Sequence, residues 1–284
     1  MSIEAVEVAG LVGPRKDFIG QVNEKVIKKK RYRRKMIRKS IQISPILALQ
    51  RLFLSCQEVF KGHGTVPSPN DVQKLCHILD AMMPEDVGLS GDLQFFKPRQ
   101  VIERNARVTY ATIYKCDNFS LCILFLPAST VIPLHNHPGM TVFSKLLLGT
   151  MHIKSYDWVD PVDSNDQTLT PKMRLARMKA NDIFRAPCNT SVLYPTSGGN
   201  IHEFRAITPC AVLDVLGPPY SKEDGRDCSY YKDTPYKTLL KEELSGVVKE
   251  EEDSSYGWLE EIEMPEESEM DVIKYLGPKV ADAA

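Results

Sequence analysis

Apolar residues near the start of the chain recur at the three- and four-residue spacing of amphipathic helices. Each of two such segments opens on a Ser-Pro pair, Ser44-Pro45 or Ser68-Pro69, which supplies an N-cap and a first helical residue. The apolar stripes consist of Ile46, Leu49, Leu52, Phe53 and Cys56 and of Val72, Leu75, Cys76, Leu79, Met82 and Met83. Because the connection between them is short and contains glycine, we predict an antiparallel helical pair over residues 44–84.

From about residue 107 the pattern changes to short apolar runs separated by turn residues. The candidate strands are 108–116, 120–126, 131–135, 141–148, 151–156, 174–178, 182–185, 192–194, 201–207 and 211–216. Many short strands at this spacing favour a β-sandwich or barrel over an alternating α/β fold. We therefore predict a mainly β fold, with a β-barrel over about 107–231 that follows the helical pair.

Charge is unevenly distributed, although the whole chain has a net charge of only −1. Residues 1–40 contain twelve Lys and Arg against four acids, and residues 241–271 contain thirteen acids against two Lys. These counts predict a basic, disordered arm over 1–43 and one domain over 44–284 that ends in an acidic extension over 232–284.

The densest part of the basic arm is the cluster at residues 28–35. It is either a solvated terminus or a nuclear import signal, and the second interpretation predicts a location in both nucleus and cytoplasm. A basic stretch alone supplies only attraction to phosphates, so direct binding of nucleic acid is not expected.

Seven cysteines are irregularly spaced, no Cys-x-x-Cys pair occurs, and the N-terminus has no signal peptide pattern. This usage is typical of reduced thiols in the cytosol or nucleus and argues against a structural zinc site of paired cysteines. No apolar run approaches the ~20 residues that span a bilayer, so no membrane partner is expected.

Two of the six histidines, His135 and His137, are separated by one residue where a predicted strand meets a turn. Alternate residues of a strand point to the same side, so both imidazoles can bind one metal ion. The same spacing also suits two unrelated turn histidines, and spacing alone does not decide between them.

The segment around this pair resembles the first sequence motif of the cupin superfamily. Gly149 stands where that motif has its glycine, but Val142 occupies the position of the usual Glu ligand and Ser129 that of an earlier glycine. Residues 195–202 resemble the second cupin motif, with Ala206 in place of its final Asn, which makes His202 the third candidate ligand. The resemblance implies a cupin-type double-stranded β-helix, a jelly-roll barrel.

The missing Glu has a chemical consequence for the candidate site. Two histidines and a carboxylate leave a divalent metal with one net positive charge, whereas three neutral histidines leave both charges on the metal. Such a centre can hold an anionic thiolate, because a metal-bound thiol is deprotonated. In cupins, three histidines around iron are typical of thiol dioxygenases.

Longer segments closely resemble the plant cysteine oxidases, a family related to the cysteamine dioxygenase of animals. They are residues 133–142 (PLHNHPGMTV), 149–158 (GTMHIKSYDW), 214–220 (DVLGPPY), 228–231 (CSYY) and 256–259 (YGWL). The resemblance covers about residues 45–284 and leaves out only the basic arm.

The resemblance implies that the chain uses Fe(II) and O2 to oxidise the N-terminal Cys of target proteins to cysteine sulfinic acid. The product would enter the N-degron pathway, and ethylene-response transcription factors that begin Met-Cys are the implied partners. Because the reaction needs O2, the enzyme would act as an oxygen, or hypoxia, sensor. We expect it to be a monomer.

Four further residues are candidates for catalytic roles. Asp214 interrupts an apolar run, and a buried carboxylate there is either paired in a structural salt bridge or, as the resemblance implies, placed at the active site. Tyr220 follows two prolines and either covers the pocket or packs on the surface. Cys228 and Tyr230 lie two residues apart, and relatives can link such a pair by a thioether, whereas a free thiol is the alternative.

Two other functions fit the same sequence. One is a non-catalytic cupin that binds a metal or ligand and contacts nucleic acid through its basic arm. The other is a cupin enzyme of another class, such as an isomerase or a small-thiol dioxygenase that acts on free cysteine.

Overall fold

The computed structural model of the protein describes residues 45–62, 64–90, 107–159, 173–236 and 255–282. The predicted basic arm over 1–43, the expected N-cap Ser44 and residues 237–254 and 283–284 of the acidic extension lie outside the described residues. None of the helices in these ranges is long and apolar enough to cross a membrane.

Two helices form at the predicted places, α1 over Pro45–Val59 and α2 over Pro69–Asp80, and a short 3-10 turn follows over Pro84–Val87. The side chain of Ser68 caps α2 by accepting a hydrogen bond from the backbone N–H of Asp71. The buried stripes of the two helices share one apolar core with side chains of the neighbouring sheet, among them Leu121, Phe143 and Leu213. The helical pair therefore covers the outer face of that sheet.

Twelve strands are present in the described chain. They are β1 Val108–Lys115, β2 Ser120–Leu126, β3 Val131–Asn136, β4 Thr141–Leu148, β5 Thr150–Trp158, β6 Met173–Arg185, β7 Ser191–Leu193, β8 Ile201–Ala206, β9 Cys210–Gly217, β10 Tyr230–Pro235, β11 Tyr256–Ile262 and β12 Met270–Lys274.

The strands form two six-stranded sheets. The first has the order β12-β1-β2-β9-β4-β7, and the second, β10-β11-β6-β5-β8-β3, closes on itself through a pairing of Tyr230 with His135. All strand pairs are antiparallel except β1 with β12. A second apolar core, with Leu124 and Val212 from the first sheet and Met151 and Phe204 from the second, lies between the sheets. The predicted fold, a mainly β jelly roll with a helical pair, is confirmed.

Strand β9 shows how one segment can serve both cores. All eight of its residues are buried, as expected for a strand covered on both faces. Leu213 and Val215 pack toward the helices, whereas Val212 and Leu216 face inward, as the two-residue period of a strand requires. Asp214 shares the inward face and therefore points into the interior of the jelly roll.

The sheets extend beyond the predicted barrel limit of residue 231. Strands β11 and β12 were not predicted, because their acidic residues interrupt the alternation of apolar and polar positions that indicates a strand. In β11, Gly257 and Leu259 are the only buried residues. The candidate strands 174–178 and 182–185 are instead one continuous strand, β6, whose intervening polar residues are largely exposed. Tyr275 contacts the helical region by donating a hydrogen bond to the carbonyl of Val87, at 3.1 Å.

An ion pair between a buried lysine and an exposed aspartate joins the helical pair to the first sheet. Lys145, on β4, is 3% exposed, and its Nζ donates to the carbonyl of Cys188 at 2.6 Å and lies 3.8 Å from Oδ1 of Asp80. The same Oδ1 accepts hydrogen bonds from both the backbone N–H and the hydroxyl of Thr190, at 2.7 and 2.6 Å.

Replacing Asp80 with Ala should lower the free energy of unfolding by about 2 kcal/mol, because it removes two accepted hydrogen bonds and the anion beside a buried ammonium group. Asp80→Asn keeps an oxygen acceptor for Thr190 and should cost less than the Ala variant. Urea denaturation of both variants measures the difference, and equal stabilities of Asp80→Ala and the wild type would contradict this account.

Candidate metal centre

Antiparallel pairing of β3 with β8 brings the three candidate histidines together. His135 on β3 is directly opposite His202 on β8, and His137 follows at the start of the turn to β4. The ring centroids are 4.9 Å apart for His135 and His137, 4.7 Å for His135 and His202, and 4.8 Å for His137 and His202. One nitrogen from each ring lies within 4.8 Å of the others, a separation at which the three can hold one metal ion.

The environment keeps these imidazoles neutral. All three are buried, and burial lowers the pKa of each. The pKa values of His137 and His202 lie well below the ordinary value, because neighbouring imidazoles add to the effect of burial at these two rings. The Nε2 atoms of His137 and His202 are 3.4 Å apart. Neutral imidazole nitrogens are the form that binds a metal, so the donor set suits a divalent transition metal.

Hydrogen bonds at Nδ1 orient two of the rings. Nδ1–H of His135 donates to the carbonyl of Pro133 at 2.8 Å, which leaves Nε2 free for a metal. The Nδ1 of His137 is 2.8 Å from the hydroxyl of Tyr220, which itself donates to the carbonyl of Asn136 at 2.8 Å. Since that hydroxyl gives its proton to the carbonyl, we assign it as the acceptor from His137. Tyr220 is therefore a positioning residue for His137.

Carboxylates do not complete the ligand group. Among the described residues, the three histidines form the one cluster of His, Cys, Asp and Glu side chains with the spacing to hold a metal. Val142, at the position where the cupin motif has Glu, is buried in an apolar cluster with Met140 and Leu216. The third ring, His202, stacks on Phe204 with centroids 4.4 Å apart and planes 10° from parallel.

The histidines line a cavity of about 380 Å³ between the two sheets. All four other candidate site residues line the same cavity: Asp214, Tyr220, Cys228 and Tyr230. Two residues that the sequence analysis missed, Tyr110 and Cys122, also line it. Only strand pairing reveals them, because Cys122 on β2 lies directly opposite Asp214 on β9.

Asp214 is an uncompensated carboxyl group in the wall of this cavity. It is 6% exposed, one oxygen bonds to the Ser144 side chain, and Oδ1 has no hydrogen-bond partner among the described residues. Burial raises the pKa of this carboxyl from 3.8 to about 7. No cation of the described chain forms an ion pair with it, which argues against the structural salt bridge that the sequence left open.

Three of the candidate residues form a group at one side of the cavity. The thiol of Cys228 has side-chain hydrogen bonds with Tyr220 and Tyr230, and its own pKa is raised by burial. Burial likewise raises the pKa of Tyr220 well above the ordinary value, so its hydroxyl stays protonated at neutral pH. Cys228 and Tyr230 are within reach of each other, a placement that fits both alternatives, a free thiol and a thioether.

The raised pKa of Asp214 predicts a pH-dependent stability of the metal-free protein. Between about pH 4 and pH 7 the folded state holds a proton that the unfolded state has lost, so stability falls as pH rises through this window. From pH 5 to pH 8 the wild type should lose about 2–3 kcal/mol more than Asp214→Asn, which cannot titrate. Denaturant unfolding of both metal-free proteins at the two pH values measures this, and parallel losses would refute it.

Several known proteins are similar to this chain in sequence. The PCO_ADO family model matches residues 78–280. The chain is 50% identical over 243 residues to plant cysteine oxidase 1 of Arabidopsis thaliana, an alignment that covers 84% of this chain and 82% of that protein. It is 32% identical over 180 residues to 2-aminoethanethiol dioxygenase of Homo sapiens, with 58% and 66% covered.

Among solved structures, a cupin protein from Desulfovibrio desulfuricans is similar over 43% of this chain and 97% of its own, with 18% identity and a TM-score of 0.28. A TM-score this low carries no weight, so the fold assignment rests on the strand order. The family match spans well over half of the sequence, and the plant relative is similar over most of its length. The chain therefore belongs to the PCO_ADO family and is a thiol dioxygenase.

Proposed function

We propose that this protein uses O2 to oxidise the N-terminal cysteine of target proteins to cysteine sulfinic acid, with Fe(II) held by His135, His137 and His202. The proposal rests on one observation: three neutral, buried imidazoles and a carboxyl group with an unpartnered oxygen line the same cavity. The relative named plant cysteine oxidase 1 supports the choice of a cysteine substrate.

The donor set fits iron. Imidazole nitrogens suit Fe(II), and three neutral ligands leave the full charge of the metal available to an anionic thiolate. Iron bound there would supply open coordination positions for the thiolate and O2. The reaction RSH + O2 → RSO2H balances without a further reductant, because sulfur supplies all the electrons and both oxygen atoms end on sulfur.

Asp214 is our candidate for recognition of the substrate amine. In an N-terminal cysteine, two carbon atoms separate the ammonium nitrogen from the thiol sulfur. A thiol directed at the histidines therefore brings the amine to the cavity wall. A buried carboxylate is costly without a partner, and an ammonium group would supply one. Binding a cation would also lower the pKa of Asp214 and favour its ionised form.

The carboxyl group of Asp214 also favours a peptide over free cysteine. The lining contains two acids, Asp214 and Asp227, and one cation, Lys115, among the described residues. Asp227 is exposed and paired with Lys222 at 3.4 Å, so Asp214 is the unpaired acid that a bound substrate faces. Free cysteine carries a carboxylate next to its amine, and that carboxylate would lie close to the ionised Asp214. In a peptide the same carbonyl carbon is a neutral amide, which avoids the repulsion.

We further propose that the sulfinic acid product marks targets for the N-degron pathway and that the enzyme thereby senses oxygen. Ethylene-response transcription factors that begin Met-Cys are the proposed targets, in keeping with the plant relatives. The proposed location is nucleus and cytoplasm, with the basic cluster at residues 28–35 as the import signal. We propose no direct role for nucleic acid or membrane, and a monomeric enzyme.

The direct test is aerobic incubation of the iron-loaded protein with a peptide that begins with cysteine, followed by mass spectrometry. The peptide should gain two oxygen atoms, both labelled when ¹⁸O2 is supplied, and should stay unchanged without O2. A peptide with an internal cysteine and free cysteine are the comparison substrates. Absence of the two-oxygen product with iron-loaded protein would overturn the proposal, and faster turnover of free cysteine would favour the small-thiol alternative.

Replacing Asp214 with Asn should lower kcat/KM for the cysteine-initiated peptide about 10- to 100-fold, the worth of a hydrogen bond to a charged group. An N-acetylated peptide has no ammonium group, so its slower oxidation should be little changed by the substitution. Asp227→Asn, which removes the other acid of the lining, is the matched control and should have a small effect. Equal losses for both peptides would contradict a role of Asp214 in amine binding.

A further inference from the structure

We propose that Asp157 and Asn200 are positioning residues that hold His137 and His202 at the spacing a metal requires, and so set the metal affinity of the site. This inference rests on the proposed function, because it takes the three histidines as the metal ligands. Neither residue lines the cavity, and both act through the backbone.

The side chain of Asn200 forms hydrogen bonds with both the N–H and the carbonyl of His137. Its Oδ1 accepts a hydrogen bond from the N–H of His137 at 3.1 Å, and its Nδ2 donates to the carbonyl of His137 at 2.9 Å. The same Nδ2 donates to the carbonyl of Tyr194 at 2.7 Å. His137 lies just beyond the end of β3, so it has no partner in the strand ladder, and the amide of Asn200 takes that place.

Asn200 also lies two residues before His202 and immediately ahead of β8. One side chain therefore ties the backbone of one ligand to the strand that carries another. The ring nitrogens of these two ligands are the pair separated by only 3.4 Å. A shift of either backbone would change that separation directly.

Asp157, on β5, fixes the segment that contains Asn200. Its Oδ1 accepts hydrogen bonds from the backbone N–H groups of Gly199 and Asn200 at 2.8 and 3.1 Å, and its Oδ2 accepts one from Gly198 at 3.0 Å. Three successive N–H groups around one carboxylate form an anion-binding nest. The carboxylate is 9% exposed and thus shielded from water, which strengthens these bonds.

The turn is built for this contact. Gly198 and Gly199 have φ values of +81° and +84°, in the left-handed region that favours glycine. A Cβ at Gly199 would lie 2.6 Å from the hydroxyl oxygen of Ser155, so a larger residue cannot be accommodated there without displacement. The sequence Gly-Gly-Asn ahead of His202 is therefore a requirement of the positioning contact as well as of the turn.

The physical consequence is a preorganised pair of ligands. Contacts that orient metal ligands are typically worth a factor of about 10 to 100 in metal affinity. Without Asn200, His137 would keep its Tyr220 contact at the ring but lose the side-chain contacts that fix its backbone. The metal would then have to order the ligand when it binds, at a cost in affinity.

The test is titration of the metal-free protein with Co²⁺ alone, followed by calorimetry and by the visible absorption of the bound ion. Asn200→Ala should weaken Co²⁺ binding about 10- to 100-fold and change the absorption spectrum, because the ligand geometry is altered. Asn181→Ala is the control, because it also removes an Asn side chain that contacts a histidine, here the exposed contact between Oδ1 of Asn181 and Nε2 of His152. This variant should bind Co²⁺ as the wild type does.

Asn200→Asp gives a second variant if the Ala variant does not fold. It keeps an acceptor for the N–H of His137 but loses both donated bonds, and it should also weaken Co²⁺ binding and change the spectrum. Asp157→Asn should have the same direction of effect, since it replaces one acceptor of the nest with a donor.

The outcomes separate this inference from the proposed function. If folded Asn200→Ala and Asn200→Asp bind Co²⁺ within twofold of the wild type while His137→Ala does not bind it, the positioning role is wrong and the metal site stands. If His137→Ala binds Co²⁺ as tightly as the wild type, the three-histidine site itself is wrong, and the proposed function fails with it.

Discussion

The register between β3 and β8 is the constraint on which the functional site depends. It places His135 opposite His202, and the turn after β3 adds His137 beside them. A shift of one residue would turn the histidine of the shifted strand to the other face of the sheet. The closed second sheet and the apolar core between the sheets hold this register, so the packing of the jelly roll determines whether a metal can bind.

Burial gives the site its chemical character. It keeps three imidazoles neutral and ready to donate to a metal, and it raises the pKa of the Asp214 carboxyl to about 7. These effects act on different groups in one cavity. Neutral imidazoles are ready to bind a metal ion, and the unpaired carboxyl of Asp214 on the first sheet offers a partner to an ammonium group. A substrate with a thiol and an adjacent amine matches both requirements.

The sequence predicted the features that depend on local pattern. The helical pair, most strands of the jelly roll and the three candidate ligands follow from apolar spacing and from motifs that resemble known ones. Strand β11 was missed because Gly257 and Leu259 are its only buried positions among exposed acids, so no alternation is visible. Its place in the second sheet is decided by pairing with β6 and β10, which is a long-range property.

The site was predictable only in part for the same reason. Asp214 stood out because a charge within an apolar strand is unusual, but Cys122 has no such signal until β2 and β9 are paired. Asn200 looked like an ordinary turn residue, since its contacts with His137 bridge 63 positions of sequence. The role of a residue that orients a metal ligand depends on long-range contacts, so the residues next to it in sequence do not reveal that role.

In the proposed complex, the three histidines and Asp214 bind the two ends of one substrate residue. A crystal structure of the iron-loaded protein with a cysteine-initiated peptide, prepared without O2 and recorded at the iron absorption edge, tests it most directly. We expect an anomalous peak among the three imidazoles, the peptide sulfur beside it and the amine at the carboxylate of Asp214. Iron at another place, or a peptide whose amine points away from Asp214, would contradict it.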